Sequence, residues 1–339
     1  TPKTHRRQRQ MCIRDSSYPS ATAESPHLET DESRAVIFSD VTAELGIRFK
    51  HMSSATSRKY LPETMGSGVA LFDFNRDGRL DIFFANGAKI EDPMPEGGLP
   101  VKNDQEYSNR LFQQQDDGTF QDATQRAKLQ GETYGTGVAV GDYDNDGFPD
   151  LFVGGVAGNN LYRNNGDGTF ADVTEQAGVR GTGWTSSVAF VDYDNDGRLD
   201  LIVGRYLDWD FSKNMYCGEA PVRAYCSPAN FDGIAPILFH NEGGGRFLDV
   251  SEKSLVSEFH GKALGIGIAD IDRDGLTDIF IANDGMEQFL LHNNGDGTFE
   301  EVALFSGVAM DEDGNSFAGM GVDVADYDND TLPDILVTN

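Results

Sequence analysis

Basic residues are scarce: 27 Lys and Arg stand against 56 Asp and Glu in 339 residues, a formal net charge of −29. A phosphate backbone recruits Lys and Arg and would be repelled by such a surface, so a nucleic-acid partner is excluded. No apolar run is long enough to cross a bilayer as a helix, and no membrane insertion is expected of this chain. Only three cysteines occur, none at zinc spacing, and there is no G-x-S-x-G elbow, His-x-x-x-His pair or phosphate-cradling glycine loop. Nothing nominates a nucleophile. What is abundant is glycine, with 39 residues, alongside 22 phenylalanines in a chain that is 38% hydrophobic. That balance favours a turn-rich β protein with a sizeable core over a helical one.

The first sixteen residues stand apart. "RRQRQMCIRDS", Arg6 to Ser16, is what a transposase adapter used in sequencing libraries encodes in one frame, so residues 1–16 are read as foreign rather than as a native basic tail. Without their five basic and one acidic residue the charge becomes −33, and Cys12 is lost. An export signal, if the gene encodes one, is expected upstream of that junction. Residues 17–37 read as an acidic linker.

From residue 38 onward the chain repeats. The nine-mers "DFNRDGRLD" (Asp73–Asp81), "DYDNDGFPD" (Asp142–Asp150), "DYDNDGRLD" (Asp192–Asp200), "DIDRDGLTD" (Asp270–Asp278) and "DYDNDTLPD" (Asp326–Asp334) are five versions of one motif. Five residues before each stands Gly68, Gly137, Ser187, Gly265 or Gly321, leading into a short apolar stretch, and after each comes a Val/Ile/Phe-rich run. Runs of four or five such residues bounded by Gly and Asp are strands, so each acidic nine-mer joins two strands. Asp-Gly or Gly-Gly hairpin signals follow in "LFQQQDDGTFQDAT", "LYRNNGDGTFADVT", "LFHNEGGGRFLDVS" and "LLHNNGDGTFEEV". With "FSDVT" (Phe38–Thr42) opening the series, the units are expected at 38–115, 120–166, 170–243, 247–295 and from 299 on. Four strands per unit, repeated side by side, describe the blades of an all-β propeller. Insertions at 88–107 and 205–235 interrupt the first and third units. The second carries Cys217 and Cys226, read as a local disulfide in preference to a pair of reduced thiols; the bond implies an oxidising compartment, hence a secreted, periplasmic or cell-surface location.

Carboxylates at alternate positions of a tight loop converge on a hard dication, which takes six to eight oxygens. The expected calcium ligands are the side chains at positions 1, 3, 5 and 9 and the carbonyl at position 7. They are Asp73, Asn75, Asp77, Arg79 and Asp81 in the first loop, and Asp142, Asp144, Asp146, Phe148 and Asp150 in the second. The third supplies Asp192, Asp194, Asp196, Arg198 and Asp200, the fourth Asp270, Asp272, Asp274, Leu276 and Asp278, and the fifth Asp326, Asp328, Asp330, Leu332 and Asp334. The helical calcium hand is excluded, because it needs Glu at position 12, where the second loop has Val153. Loop 1 substitutes a neutral oxygen donor, Asn75, and loop 5 puts Thr331 where the others bend at glycine.

These nine-mers, their glycine-rich approach and the "NNGDGTF" hairpins resemble FG-GAP or VCBS repeats, the integrin-α type of β-propeller. "FSDVTAELGIRF", "ETMGSGVALFDFNRDG" and "NNLYRNNGDGTFADVTEQAGV" are further similar to the ASPIC/UnbV, cartilage acidic protein-like group. The resemblance implies an exported, calcium-dressed propeller, commonly seven-bladed and without established catalysis. Four whole blades and the beginning of a fifth are expected here, with the C-terminus incomplete, since the chain stops after the strand that follows loop 5.

Two function classes follow. The first is an extracellular propeller that binds a protein or carbohydrate ligand through its inter-blade loops and the 205–235 insertion, with calcium as a structural ion. The alternative is a calcium-dependent carbohydrate-active or other hydrolytic enzyme using His51 and Glu63 as an acid–base pair. His240 and His292 align with Arg163 and Gln113 of other units and read as blade-surface residues, while Trp184 and Trp209 read as core or insertion packing in preference to sugar-stacking platforms.

Overall fold

The computed structural model describes residues 11–12 and 38–339, so most of the segment read as foreign, and the whole of the acidic linker, lie outside the described residues. The apolar runs pair into four antiparallel four-stranded sheets, each consecutive in sequence. The first holds β2 (Val69–Phe72), β3 (Asp81–Phe84), β4 (Arg110–Gln114) and β5 (Phe120–Asp122), and the second β6 (Tyr134–Gly141), β7 (Asp150–Val156), β8 (Asn160–Asn164) and β9 (Phe170–Asp172). The third is β10 (Thr185–Val191), β11 (Asp200–Arg205), β12 (Ile237–Gly243) and β13 (Arg246–Asp249), and the fourth β14 (Ala263–Ala269), β15 (Asp278–Asn283), β16 (Phe289–Asn293) and β17 (Phe299–Glu301). A fifth sheet holds β18 (Val322–Ala325) and β19 (Asp334–Val337), with β1 (Met11–Cys12) paired to β19.

Alternation along the second strand of each blade explains how the sheets stack. Leu151 and Val153 of β7 enter the apolar layer shared with blade 1, whereas Phe152 enters the layer shared with blade 3. The same period of two sends Leu201 and Val203 of β11 toward blade 2 and Ile202 toward blade 4, then Ile279 and Ile281 toward blade 3 and Phe280 and Ala282 toward blade 5. These central strands are apolar on both faces because both faces are covered. The glycine five residues before the loops has a steric cause: a Cβ on Gly137 would sit 3.0 Å from the Ser186 carbonyl oxygen, and one on Gly265 2.8 Å from that of Met320. The innermost strands of neighbouring blades approach too closely there for a side chain.

One expectation is corrected. The DVT-type strand after each hairpin pairs with the strand before the hairpin, so it closes its own blade and does not open the next; residues 38–42 accordingly form no strand, having no such partner. The 205–235 insertion packs into the body of the molecule. Trp209, Cys226 and Phe231 from it are buried against Tyr60, Leu61, Ile90, Tyr134 and Trp184, and Cys217 and Cys226 form a disulfide. Trp184 and Trp209 meet edge to face at 5.8 Å inside this layer, which fits the packing reading.

Candidate metal loops and the rim they form

All five acidic nine-mers fold alike. Position 4 (Arg76, Asn145, Asn195, Arg273, Asn329) and position 6 (Gly78, Gly147, Gly197, Gly275, Thr331) both adopt positive φ, 57° to 64° and 75° to 90° respectively. This double left-handed bend turns the amides of positions 5 and 6 inward. Asp142 accepts from the N–H groups of Asp146 (3.0 Å) and Gly147 (2.8 Å), and Asp73, Asp192 and Asp326 accept from their counterparts. The position-9 carboxylate is held from the other side. Asp150 accepts from Tyr143 N–H (3.2 Å) and Asn164 N–H (2.7 Å), and Asp81, Asp200 and Asp278 repeat the pair with Phe74 and Gln114, Tyr193 and Asn241, Ile271 and Asn293.

These position-9 aspartates are buried, Asp81, Asp150 and Asp200 completely. Burial pushes Asp150 up to about 8 and Asp81 to about 6, with neighbouring loop carboxylates adding to the effect and the backbone N–H bonds opposing it. Such a carboxylate takes up either a proton or a cation. The donor set fits a hard dication: one oxygen from each of Asp142, Asp144 and Asp146 lies within 4.8 Å of the others, as for Asp192, Asp194, Asp196 and for Asp270, Asp272, Asp274. In loop 4, Asp270 Oδ1 is buried without a hydrogen-bond partner, an oxygen that a cation would satisfy. In loop 1, Asn75 donates to Asp77 (2.9 Å) and the Arg79 guanidinium clasps the same position-5 carboxylate, as Arg198 clasps Asp196 in loop 3. The position-7 N–H of each loop, from Arg79, Phe148, Arg198, Leu276 and Leu332, donates to its position-5 carboxylate.

Three features escaped the sequence reading. First, a buried asparagine at the end of the third strand joins neighbouring loops: Asn164 Nδ2 donates to the Phe74 carbonyl of loop 1 (2.8 Å), Asn241 to Tyr143 of loop 2 (2.8 Å) and Asn293 to Tyr193 of loop 3 (2.7 Å). Each also donates to position 8 of its own loop, at Pro149, Leu199 or Thr277. The repeated Asn before each hairpin was the available signal. Second, position 4 reaches forward, Asn145 donating to the Gly197 carbonyl (3.1 Å), Asn195 to Gly275 (3.0 Å) and Arg273 to Thr331. The loops thus form one hydrogen-bonded rim. Third, His240 and His292 are not simple surface residues: they face the carboxylates of their own loops, where blade 1 places Gln113 beside Asp77 and blade 2 places Arg163 near Asp144.

Glu63 is not hydrogen-bonded to His51 Nε2. It accepts from Thr56 N–H (3.0 Å), Thr56 Oγ1 (2.5 Å), Tyr60 N–H (3.1 Å) and Tyr225 O–H (2.8 Å), which makes it a hub of the insertion core. His51 packs edge-on to Tyr134, its Nε2 buried and unbonded, and burial holds its pKa below the ordinary histidine value.

Blades stacked through shared apolar layers, each carrying an acidic loop between its first two strands, define a β-propeller-like repeat protein. The chain belongs to the FG-GAP-like repeat family, whose model matches residues 99–153, 144–203 and 270–337. It is related to cartilage acidic protein 1: the human protein is 36% identical over 91 residues, 27% of this chain and 13% of that protein, and the Mus musculus protein 30% identical over 103 residues, 30% and 15%. The match therefore spans about one seventh of those relatives. Among solved structures, an Agrocybe aegerita lectin described by its recognition of non-reducing terminal N-acetylglucosamine is similar over 68% of this chain and 50% of that one, at 18% identity and a TM-score of 0.34, too low to bear on function.

Proposed function

We propose that this chain is part of a secreted, periplasmic or cell-surface binding module in which calcium is a structural ion and the rim opposite the acidic loops meets the ligand. The carrying observation is the position-9 carboxylate: fully buried in three loops, held by backbone amides, and facing further carboxylates. Asp73, Asn75, Asp77 and Asp81 and their counterparts in loops 2 to 5, with the position-7 carbonyls, would hold the ion. Bound calcium supplies positive charge that lets these groups stay ionised at close quarters. The residues themselves set the bend, lock the carboxylates and pass the constraint to the next blade through the asparagines.

In an antiparallel blade the acidic loop and the hairpin share one rim, and the connection between the second and third strands lies on the other. Both insertions are such connections. They present exposed apolar side chains there, Leu99, Met215, Tyr216 and Val222, the last 70% exposed. Solvent-facing apolar groups gathered on a disulfide-closed, well-packed platform support a contact surface for a protein or carbohydrate. The disulfide supports the oxidising location.

Chelation is the test of the structural role. Removing several ions, each contributing about 4 kcal/mol when saturated a thousandfold over its dissociation constant, lowers the melting temperature by at least about 10 °C. An identical melt in calcium and in chelator contradicts the proposal. For the ligand role, binding to immobilised glycans or matrix proteins is expected to weaken on Tyr216→Ala and Val222→Asp with the melt unchanged. Turnover on polysaccharides that survives those changes and disappears on His51→Ala would instead support the hydrolytic alternative.

A further inference from the structure

The residue facing each acidic loop from the third strand differs by blade, and in blades 3 and 4 it is histidine. His240 Nδ1 lies 3.1 Å from Asp200 Oδ1 and 3.5 Å from Asp194 Oδ2; His292 Nδ1 lies 3.2 Å from Asp278 Oδ1 and 3.5 Å from Asp272 Oδ2. Two blades of independent sequence therefore build the same triplet of one imidazole nitrogen and the position-3 and position-9 carboxylates, with ligand atoms within 4.8 Å of one another. His240 Nδ1 is buried from solvent and makes no hydrogen bond, although an oxygen of each carboxylate lies within 3.5 Å. The ring is fixed by an edge-to-face contact with Tyr193, at 6.0 Å and 79°. A nitrogen held there, sealed from water and unbonded, is disposed as a ligand to an ion that the two carboxylates share.

We propose that the cages of blades 3 and 4, besides calcium, take borderline dications such as cobalt or zinc, bound through His240 with Asp194 and Asp200 and through His292 with Asp272 and Asp278. An imidazole nitrogen raises affinity for borderline dications and does little for calcium, which prefers oxygen. Blade 1 offers the Gln113 amide at this place and blade 2 the Arg163 guanidinium, so neither supplies a nitrogen lone pair. The number of such sites among the blades described here is thus two. This inference rests on the reading of the loops as cation cages.

The test is a Co2+ titration of the full chain, followed by visible absorption and calorimetry, beside the His240→Gln/His292→Gln double variant; glutamine is what blade 1 already carries. The wild type is expected to bind two Co2+ through nitrogen, and the variant to lose at least tenfold in Co2+ affinity while its Ca2+ titration changes less than threefold. Equal Co2+ affinity and spectrum in the two proteins overturns the proposal. Should the variant misfold, pulsed EPR of wild type loaded with two equivalents of Cu2+ decides: imidazole nitrogen couplings reduced in each single variant support it, and their absence overturns it. Failure of the wild type to take up Ca2+ would reject the cage reading itself, a result separate from loss of nitrogen ligation alone.

Discussion

Replacing Asn241 by leucine probes how far the rim holds the blades together. The side chain is 1% exposed and makes three hydrogen bonds: Nδ2 donates to the carbonyls of Tyr143 (2.8 Å) and Leu199 (2.9 Å), and Oδ1 accepts from Gly243 N–H (2.9 Å). Leucine has nearly the same volume, so little cavity forms, but two carbonyls and one amide lose their partners in a region closed to water. At about 1–3 kcal/mol for each stranded group, and with incomplete additivity, the cost is about 3–6 kcal/mol. That corresponds to a fall of about 5–10 °C in melting temperature for a domain of this size. Denaturant and thermal melts in saturating calcium measure it, beside Asn294→Leu, the exposed asparagine whose bond is to Thr298 Oγ1 (3.0 Å). Asn294→Leu is expected to cost under about 1 kcal/mol. If the two substitutions cost the same, the inter-blade latch contributes nothing and the reasoning fails.

Other outcomes follow from the same geometry. Thr331 is a β-branched residue at φ +75°, so Thr331→Gly is expected to stabilise blade 5 by about 0.5–1 kcal/mol, net of its lost contact with Arg273; a destabilised variant in calorimetry would show that the bend is not strained. Asp81 and Asp150 bind protons more tightly folded than unfolded, so in chelator their contribution to stability is fully present below about pH 4 and is lost as pH rises through about 6 for Asp81 and about 8 for Asp150; wild-type denaturant midpoints that fall no more steeply with pH across that window than those of an Asp81→Asn/Asp150→Asn variant would refute the assignment. Calcium should flatten or reverse that trend, since it binds the ionised form. Cys217→Ser/Cys226→Ser is expected to cost about 2–3 kcal/mol and to loosen the insertion core, read as faster hydrogen exchange at Trp209 and Phe231.

The repeat was legible because its chemistry is dense: five nine-mers with aspartate at fixed offsets, each followed by a run such as "LFVG" that alternates between two neighbouring blades. Composition and length of those runs were enough for strands, while the recurrence of Gly137 and Gly265 was visible without its cause, the close approach of neighbouring inner strands. Blade boundaries were read one strand out of step, since "FADVT" looks the same whether it opens a unit or closes one; only the pairing of β9 with β8 decides. The four-residue helices after β5, β9 and β17 are too short to show a helical period. Asn164, Asn241 and Asn293 adjoin the hairpins, and their inter-blade bonds join residues 90 to 100 positions apart, which no local pattern shows. His240 and His292 were misjudged for a related reason. Variation at their position among blades was taken as a sign of the blade surface, whereas glutamine, arginine and two histidines each lie near their own blade's carboxylates.

The account turns on whether the acidic loops hold calcium. The most direct measurement is the metal content of the purified chain after gel filtration in micromolar calcium, paired with anomalous scattering from its crystals. The account predicts one calcium between the position-1, 3, 5 and 9 side chains of loops 2, 3 and 4, with loops 1 and 5 filling at higher concentration. Crystals grown in calcium with no anomalous density at Asp142, Asp192 or Asp270, and protein that emerges metal-free with an unchanged melt, would contradict it.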